Sequence, residues 1–131
     1  HCARNSVVLL HDCIPCNIHL ARRDMRDMGL KHLAPVPTQW AGDVWKTVLA
    51  LKKYRPDLRI HAYDAPPTGL VVITNLDPKS EALKSNYFAI VEEFAGLDLA
   101  DYGVDRLHRD FGVKPSAELM DHGSLSKLLW L

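Results

Sequence analysis

His11 and Asp12 close the apolar run Ser6-Val7-Val8-Leu9-Leu10, and an imidazole beside a carboxylate at a strand end is a pair able to move a proton. The unperturbed imidazole titrates near neutrality, so His11 suits a general base that accepts a proton from a substrate hydroxyl. The same residues also have a purely structural reading, an Asp that caps the next turn beside a hydrogen-bonded edge histidine.

Two more groups carry chemistry-bearing side chains. Cys13-x-x-Cys16-x-x-His19 supplies the ligand types that zinc prefers, with His1, Cys2, His11 or another chain to complete four ligands. The proline inside Cys13-Ile14-Pro15-Cys16 also allows a redox reading, and small buried or half-buried thiols are the plain alternative. The second group is Trp40, Gly42, Asp43, Trp45 and Lys46. Trp40 and Asp43 are its candidate substrate contacts, Asp43 doubling as a helix cap, while Trp45 shares a stripe with Leu49 and reads as core. A turn role suffices for Asp64, Thr68 and Gly69. His32, His61, His108 and His122 have no partner at convincing spacing and read as surface or edge groups.

These residues must be positioned by regular elements. The uninterrupted apolar run before His11 reads as a strand covered on both faces, whose carboxyl end is where open α/β sheets bind ligands. Ile18 to Met28 reads as a short helix stopped by Gly29, and the prolines of Ala34–Gln39 impose a loop. Val44, Trp45, Val48, Leu49 and Leu51 share one stripe of a helix over Asp43–Tyr54, with Lys46, Lys52 and Lys53 on the water side. Leu58–Tyr63 and Leu70–Thr74 read as strands, and the connector between them is too short for a helical crossover, so they pair as an antiparallel hairpin. Asp77-Pro78 starts a helix that runs to Gly96, its stripe Leu83, Tyr87, Ile90, Val91 and Phe94 reading as core. Further helices are expected over Asp98–Phe111 and Ser116–Leu131.

The chain has 131 residues, 47% hydrophobic and 24% charged, which is ordinary for a globular domain. Sixteen basic and sixteen acidic residues cancel, so no net field draws it to nucleic acid or to a membrane surface. The apolar runs are too short to span a bilayer, and the start lacks a secretory signal, so a cytoplasmic location is expected. Three cysteines, Cys2, Cys13 and Cys16, are an odd number and read as reduced thiols. The first residue is not methionine and a strand follows almost at once, which points to a processed, truncated or incompletely observed polypeptide.

Ser6-Val-Val-Leu-Leu-His-Asp-Cys-Ile-Pro, Trp40-Ala-Gly-Asp-Val-Trp-Lys, Tyr54-Arg-Pro-Asp-Leu and Thr68-Gly-Leu-Val-Val-Ile together resemble the carboxyl half of bacterial class I S-adenosylmethionine-dependent methyltransferases, in the branch with His-Asp after the fifth strand. The resemblance spans about His1 to Leu76. It implies an α/β, Rossmann-like sheet in which the fifth strand leads through a helix to the sixth, and an antiparallel seventh inserts between them. Residues 1–76 would then be a methyltransferase-like half-sheet and residues 77–131 a helical extension packed on the same domain. It also implies S-adenosylmethionine as cofactor, a small-molecule acceptor methylated at oxygen or alternatively at nitrogen, a divalent cation at Asp12 that orients a substrate oxygen and lowers its proton affinity, and roles for His11 and Asp12 at the acceptor. The family's glycine-rich turn after the first strand and acidic residue after the second have no counterpart here. Two alternatives stay open: a non-catalytic remnant or interaction module that completes its sheet by self-association or with a missing amino-terminal half, and a small metal-binding domain organised by Cys13, Cys16 and histidines.

Overall fold

The computed structural model describes residues 2, 3, 5–24, 26 and 39–129. Its regular part begins with strand β1 (Val8–His11), continues through helix α1 (Val44–Tyr54) to strands β2 (Arg59–Tyr63) and β3 (Leu70–Thr74), and ends in five short helices. These are α2 (Ala82–Ser85), α3 (Tyr87–Phe94), α4 (Leu99–Tyr102), α5 (Val104–Phe111) and α6 (His122–Leu129), with a 3-10 turn at Ser116–Met120 before the last.

The three strands form one sheet in the order β1-β3-β2. β3 lies in the middle and runs antiparallel to both neighbours, with Leu10 opposite Val71 and Ala62 opposite Val71 from the other side. β1 and β2 therefore point the same way, and the chain between them carries α1. Alternation along the strands sends Val8, Leu10, Ile60, Ala62, Val71 and Ile73 to one face. There they pack with Trp45 and Val48 of α1, Leu99 of α4, and Leu107 and Phe111 of α5, in the same cluster as Cys13 and Ile14. α4 and α5 thus share one core with the sheet.

α1 begins and ends as its side chains dictate. Trp45 and Val48 are fully buried, and the helix stops at Arg55, ahead of Pro56, because proline disfavours helical geometry in its predecessor. Lys52 and Lys53 in the last turn complement the negative end of the helix dipole. Lys46 departs from expectation: it is buried rather than water-facing, because its ammonium reaches Asp43 Oδ2 at 2.8 Å and the Ala95 carbonyl at 3.2 Å.

Other departures have local causes. β1 is not covered on both faces: Leu9 is 63% exposed, since β1 is an edge strand that pairs only with β3 among the described residues. An apolar run alone does not distinguish these situations. Ile18–Ala21 forms turns rather than the start of a helix, because the Leu20 carbonyl accepts the amides of Ala41 and Gly42 and the Leu20 amide goes to Asn17 Oδ1. The remainder of that expected helix at 25 and 27–28, Gly29, and the proline loop at 34–38 lie outside the described residues.

The helix expected from Asp77 starts only at Ala82, because Asp77 Oδ1 binds the Lys79 amide in a turn. It also breaks at Asn86, whose side chain donates to the Ala82 carbonyl. Its apolar stripe is not core except at Phe94: Tyr87 and Val91 are exposed and, with Leu83, line a groove of about 360 Å³ against α1. The Asp98 helix is capped by its own side chain on the Ala100 amide, then splits at Gly103, whose φ of 90° is outside the helical range. The terminal segment divides into the 3-10 turn and α6, with 130 and 131 outside the described residues.

Candidate functional site

β1 ends in His11, and the backbone turns sharply at Asp12, whose φ is +60°. Asp is among the few residues that adopt this left-handed geometry readily. The turn brings Asp12 Oδ1 to 3.1 Å from His11 Nδ1. The same oxygen accepts a hydrogen bond from Thr68 Oγ1, from the loop between β2 and β3. Thr68 is buried at 1% exposure, whereas the His11 and Asp12 side chains are 56% and 41% exposed. A rigid donor from below therefore holds the carboxylate, and the carboxylate in turn faces one imidazole nitrogen.

That arrangement has a definite chemical capacity. With the proton on Nδ1, His11 donates to Asp12, and Nε2 carries the lone pair of a general base. The contact with Asp12 fixes the orientation of the ring.

The residues just after the pair support it from the core. The Ile14 amide donates to the Thr68 carbonyl at 2.8 Å. Gly69 lies so close that a Cβ there would stand 2.3 Å from Ile14 Cβ, and its φ is +78°. Only glycine fits such a contact. The Cys13 thiol is fully buried and donates to the Leu10 carbonyl at 3.2 Å. Burial pushes its pKa up to about 12, opposed by its backbone hydrogen bonds and reinforced by the neighbouring Asp12 charge. It is an inert thiol.

Cys16 is exposed, its sulfur 3.8 Å from Asn17 Nδ2, while His19 is fully buried. Among the described residues no three His, Cys, Asp or Glu side chains converge to hold a metal, so Cys13, Cys16 and His19 are not brought together as ligands, and Asp12 belongs to no such group. His1 lies outside the described residues. Nor do the described glycines form a glycine-rich turn from a strand into a helix, the cradle a dinucleotide-like cofactor requires.

Trp40 and Asp43 form a separate group. Trp40 Nε1 donates to the Arg22 carbonyl at 2.6 Å, and its ring is partly exposed. Asp43 does not cap α1: its side chain makes no capping hydrogen bond and is instead held by Lys46 at 2.8 Å and Arg23 Nε at 3.0 Å. Trp45 is core. The two groups are joined through the backbone of residues 13–22, since Leu20 receives the Ala41 and Gly42 amides. Thr68 is the site residue that sequence reasoning missed. The only local signal was a hydroxyl residue just before a glycine at the start of β3, and its partner lies 56 residues away. No protein-family model, curated protein or solved structure matches the chain.

Proposed function

We propose that these residues form the acceptor-side part of an S-adenosylmethionine-dependent methyltransferase that methylates an oxygen of a small molecule. The observation that carries the reading is the His11–Asp12–Thr68 chain at the carboxyl end of β1, in a sheet whose order β1-β3-β2 has its antiparallel strand in the middle. This order agrees with the one that the sequence resemblance implies for the last three strands of such enzymes. In the proposal, His11 Nε2 takes the proton of the acceptor hydroxyl, Asp12 orients the imidazole, and Thr68 positions Asp12. S-adenosylmethionine, when bound by residues outside these 131, supplies an electrophilic methyl group. Trp40 offers a partly exposed ring as an acceptor contact.

The intact natural polypeptide carrying these residues is the proper test object. Its mass should exceed that of the 131 residues, and calorimetric titration should give saturable S-adenosylmethionine binding. His11→Ala should lower methyl transfer by about 10²–10⁴-fold with cofactor affinity unchanged. An intact polypeptide that does not bind the cofactor overturns the reading.

A second reading, a non-catalytic self-associating module, is favoured by the edge of β1, which among the described residues pairs with no strand but β3 and lies beside the exposed Val7 and Leu9. A concentration-dependent dimer lacking cofactor binding would select it.

A further inference from the structure

α3 turns one face to α1 and another to water. The inner face is fixed: Phe94 is buried with its ring edge-on to Tyr54 at 6.4 Å, and Glu93 accepts from Lys53 Nζ at 2.6 Å and from the Tyr54 hydroxyl at 2.9 Å. The outer face carries aromatic surface that this anchoring leaves uncovered. Phe88 is 84% exposed and Tyr87 59%, their rings 5.5 Å apart in an edge-to-face pair. Leu83 and Val91, one helical turn before and after Tyr87, are exposed as well.

Charge runs along the same face with a direction. The Asn86 amide reaches the Ala82 carbonyl at 3.2 Å and the Ile90 amide reaches the Asn86 carbonyl at 2.9 Å, so helical spacing carries across the junction of α2 and α3. Lys84, Phe88 and Glu92 therefore share one ridge, a cation four residues before the ring and a carboxylate four residues after it. Both charged groups are exposed, and the salt bridge of Lys84 to Glu81, at 2.9 Å, is itself at the surface. Such a ridge is complementary to its own antiparallel copy. A two-fold axis at Phe88 sets Lys84 of each chain against Glu92 of the other, because in an isologous contact every pair occurs twice.

We propose that α3 packs antiparallel against α3 of a second copy of this chain, in a two-fold dimer with Phe88 and Tyr87 at its centre and a Lys84–Glu92 pair at each end. The area agrees. At about 200 Å² for a ring-bearing side chain, Phe88 and Tyr87 leave roughly 300 Å² in water, and Leu83 and Val91 bring the patch to roughly 400 Å². Interfaces are about 57% apolar, so this patch is the apolar part of about 700 Å² per copy, near the roughly 800 Å² that a stable dimer buries on each side. Glu81 and Glu92 beside the rings disfavour the alternative of an anionic lipid surface. The contact uses no residue of β1 or of the His11 site, so it holds whether or not the methyl-transfer reading does.

Sedimentation velocity of the intact natural polypeptide carrying these residues, over a wide range of concentration, tests it. A monomer–dimer equilibrium with a Kd of about 10 µM or tighter is expected. Phe88→Ser should weaken dimerisation at least about tenfold while leaving the Tm of the dilute monomer unchanged, because the ring is already in water. Lys84→Glu and Glu92→Lys should each weaken it about fivefold, since each sets like charges together at both ends. An equimolar mixture of these two variants should dimerise as tightly as the parent, because the heterodimer regains an opposite-charge pair at each end. A polypeptide still monomeric at about ten times the expected Kd, a dimer that Phe88→Ser leaves intact, or a mixture that associates no more tightly than the single variants overturns the proposal.

Discussion

Thr68 donates its hydroxyl proton to Asp12 across 56 residues of chain, tying the loop before β3 to the end of β1. The acceptor is a carboxylate and the donor is buried, so this bond belongs to the stronger, charge-assisted kind. It also fixes the oxygen that stands 3.1 Å from His11 Nδ1. Stability and the orientation of the candidate base therefore share one contact.

Thr68→Val removes the donor while keeping the shape. We expect a loss of about 1.5–2 kcal/mol, read from urea denaturation with an unchanged m-value. Thr68→Ser keeps the hydroxyl and should stay within about 1 kcal/mol of the parent, the worth of one methyl group. A Thr68→Val variant as stable as the parent would mean that the bond contributes nothing.

Gly69→Ala probes the other half of the same support. Its Cβ would be forced to 2.3 Å from Ile14 Cβ at a φ of +78°, so the backbone of Ile14 has to move. A cost of about 3 kcal/mol or more is expected. Because Ile14 follows Cys13, the shift should also expose the buried thiol, which a thiol-labelling rate reports independently of stability.

The sequence made the periodic elements legible and the non-local ones illegible. α1 and the β2–β3 hairpin were readable because Val44, Trp45 and Val48 keep helical spacing and the connector at 64–69 leaves room only for a turn. Leu83 to Phe94 was readable as helical, but its burial was not: periodicity tells which residues share a face, not whether anything covers it. The β1 run likewise carries no mark of being an edge. Asp12 and His11 could be singled out, whereas Thr68 could not, since chain separation hides a partner. Lys46 misled for a related reason, its buried ammonium depending on the Ala95 carbonyl 49 residues away.

Asp43 and Lys46 give a third expectation. Lys46 is 7% exposed, and Asp43 is its carboxylate partner. Asp43→Ala leaves a buried ammonium with one carbonyl acceptor and should cost about 2 kcal/mol, below the full range for a buried pair because Asp43 is itself partly exposed. Lys46→Met in that background should recover most of the loss. A double-mutant cycle with no coupling would mean that the Asp43–Lys46 contact contributes nothing to stability.

Cys13 gives the pH dependence. Its pKa rises from 9.0 to about 12, chiefly because burial disfavours the thiolate. The unfolded chain thus loses this proton first as pH climbs, so the stabilising contribution is complete below pH 9 and declines between 9 and 12. Cys13→Ala lacks that decline, and the stability gap between parent and variant should narrow over this window. At pH 8 the same burial should separate the cysteines by rate: Cys2 and Cys16 are exposed and should label promptly, Cys13 only through opening of the core. Mass spectrometry of the labelled peptides assigns each site. Prompt labelling of Cys13 would place its sulfur at the surface and would remove the buried floor on which the Asp12 turn rests.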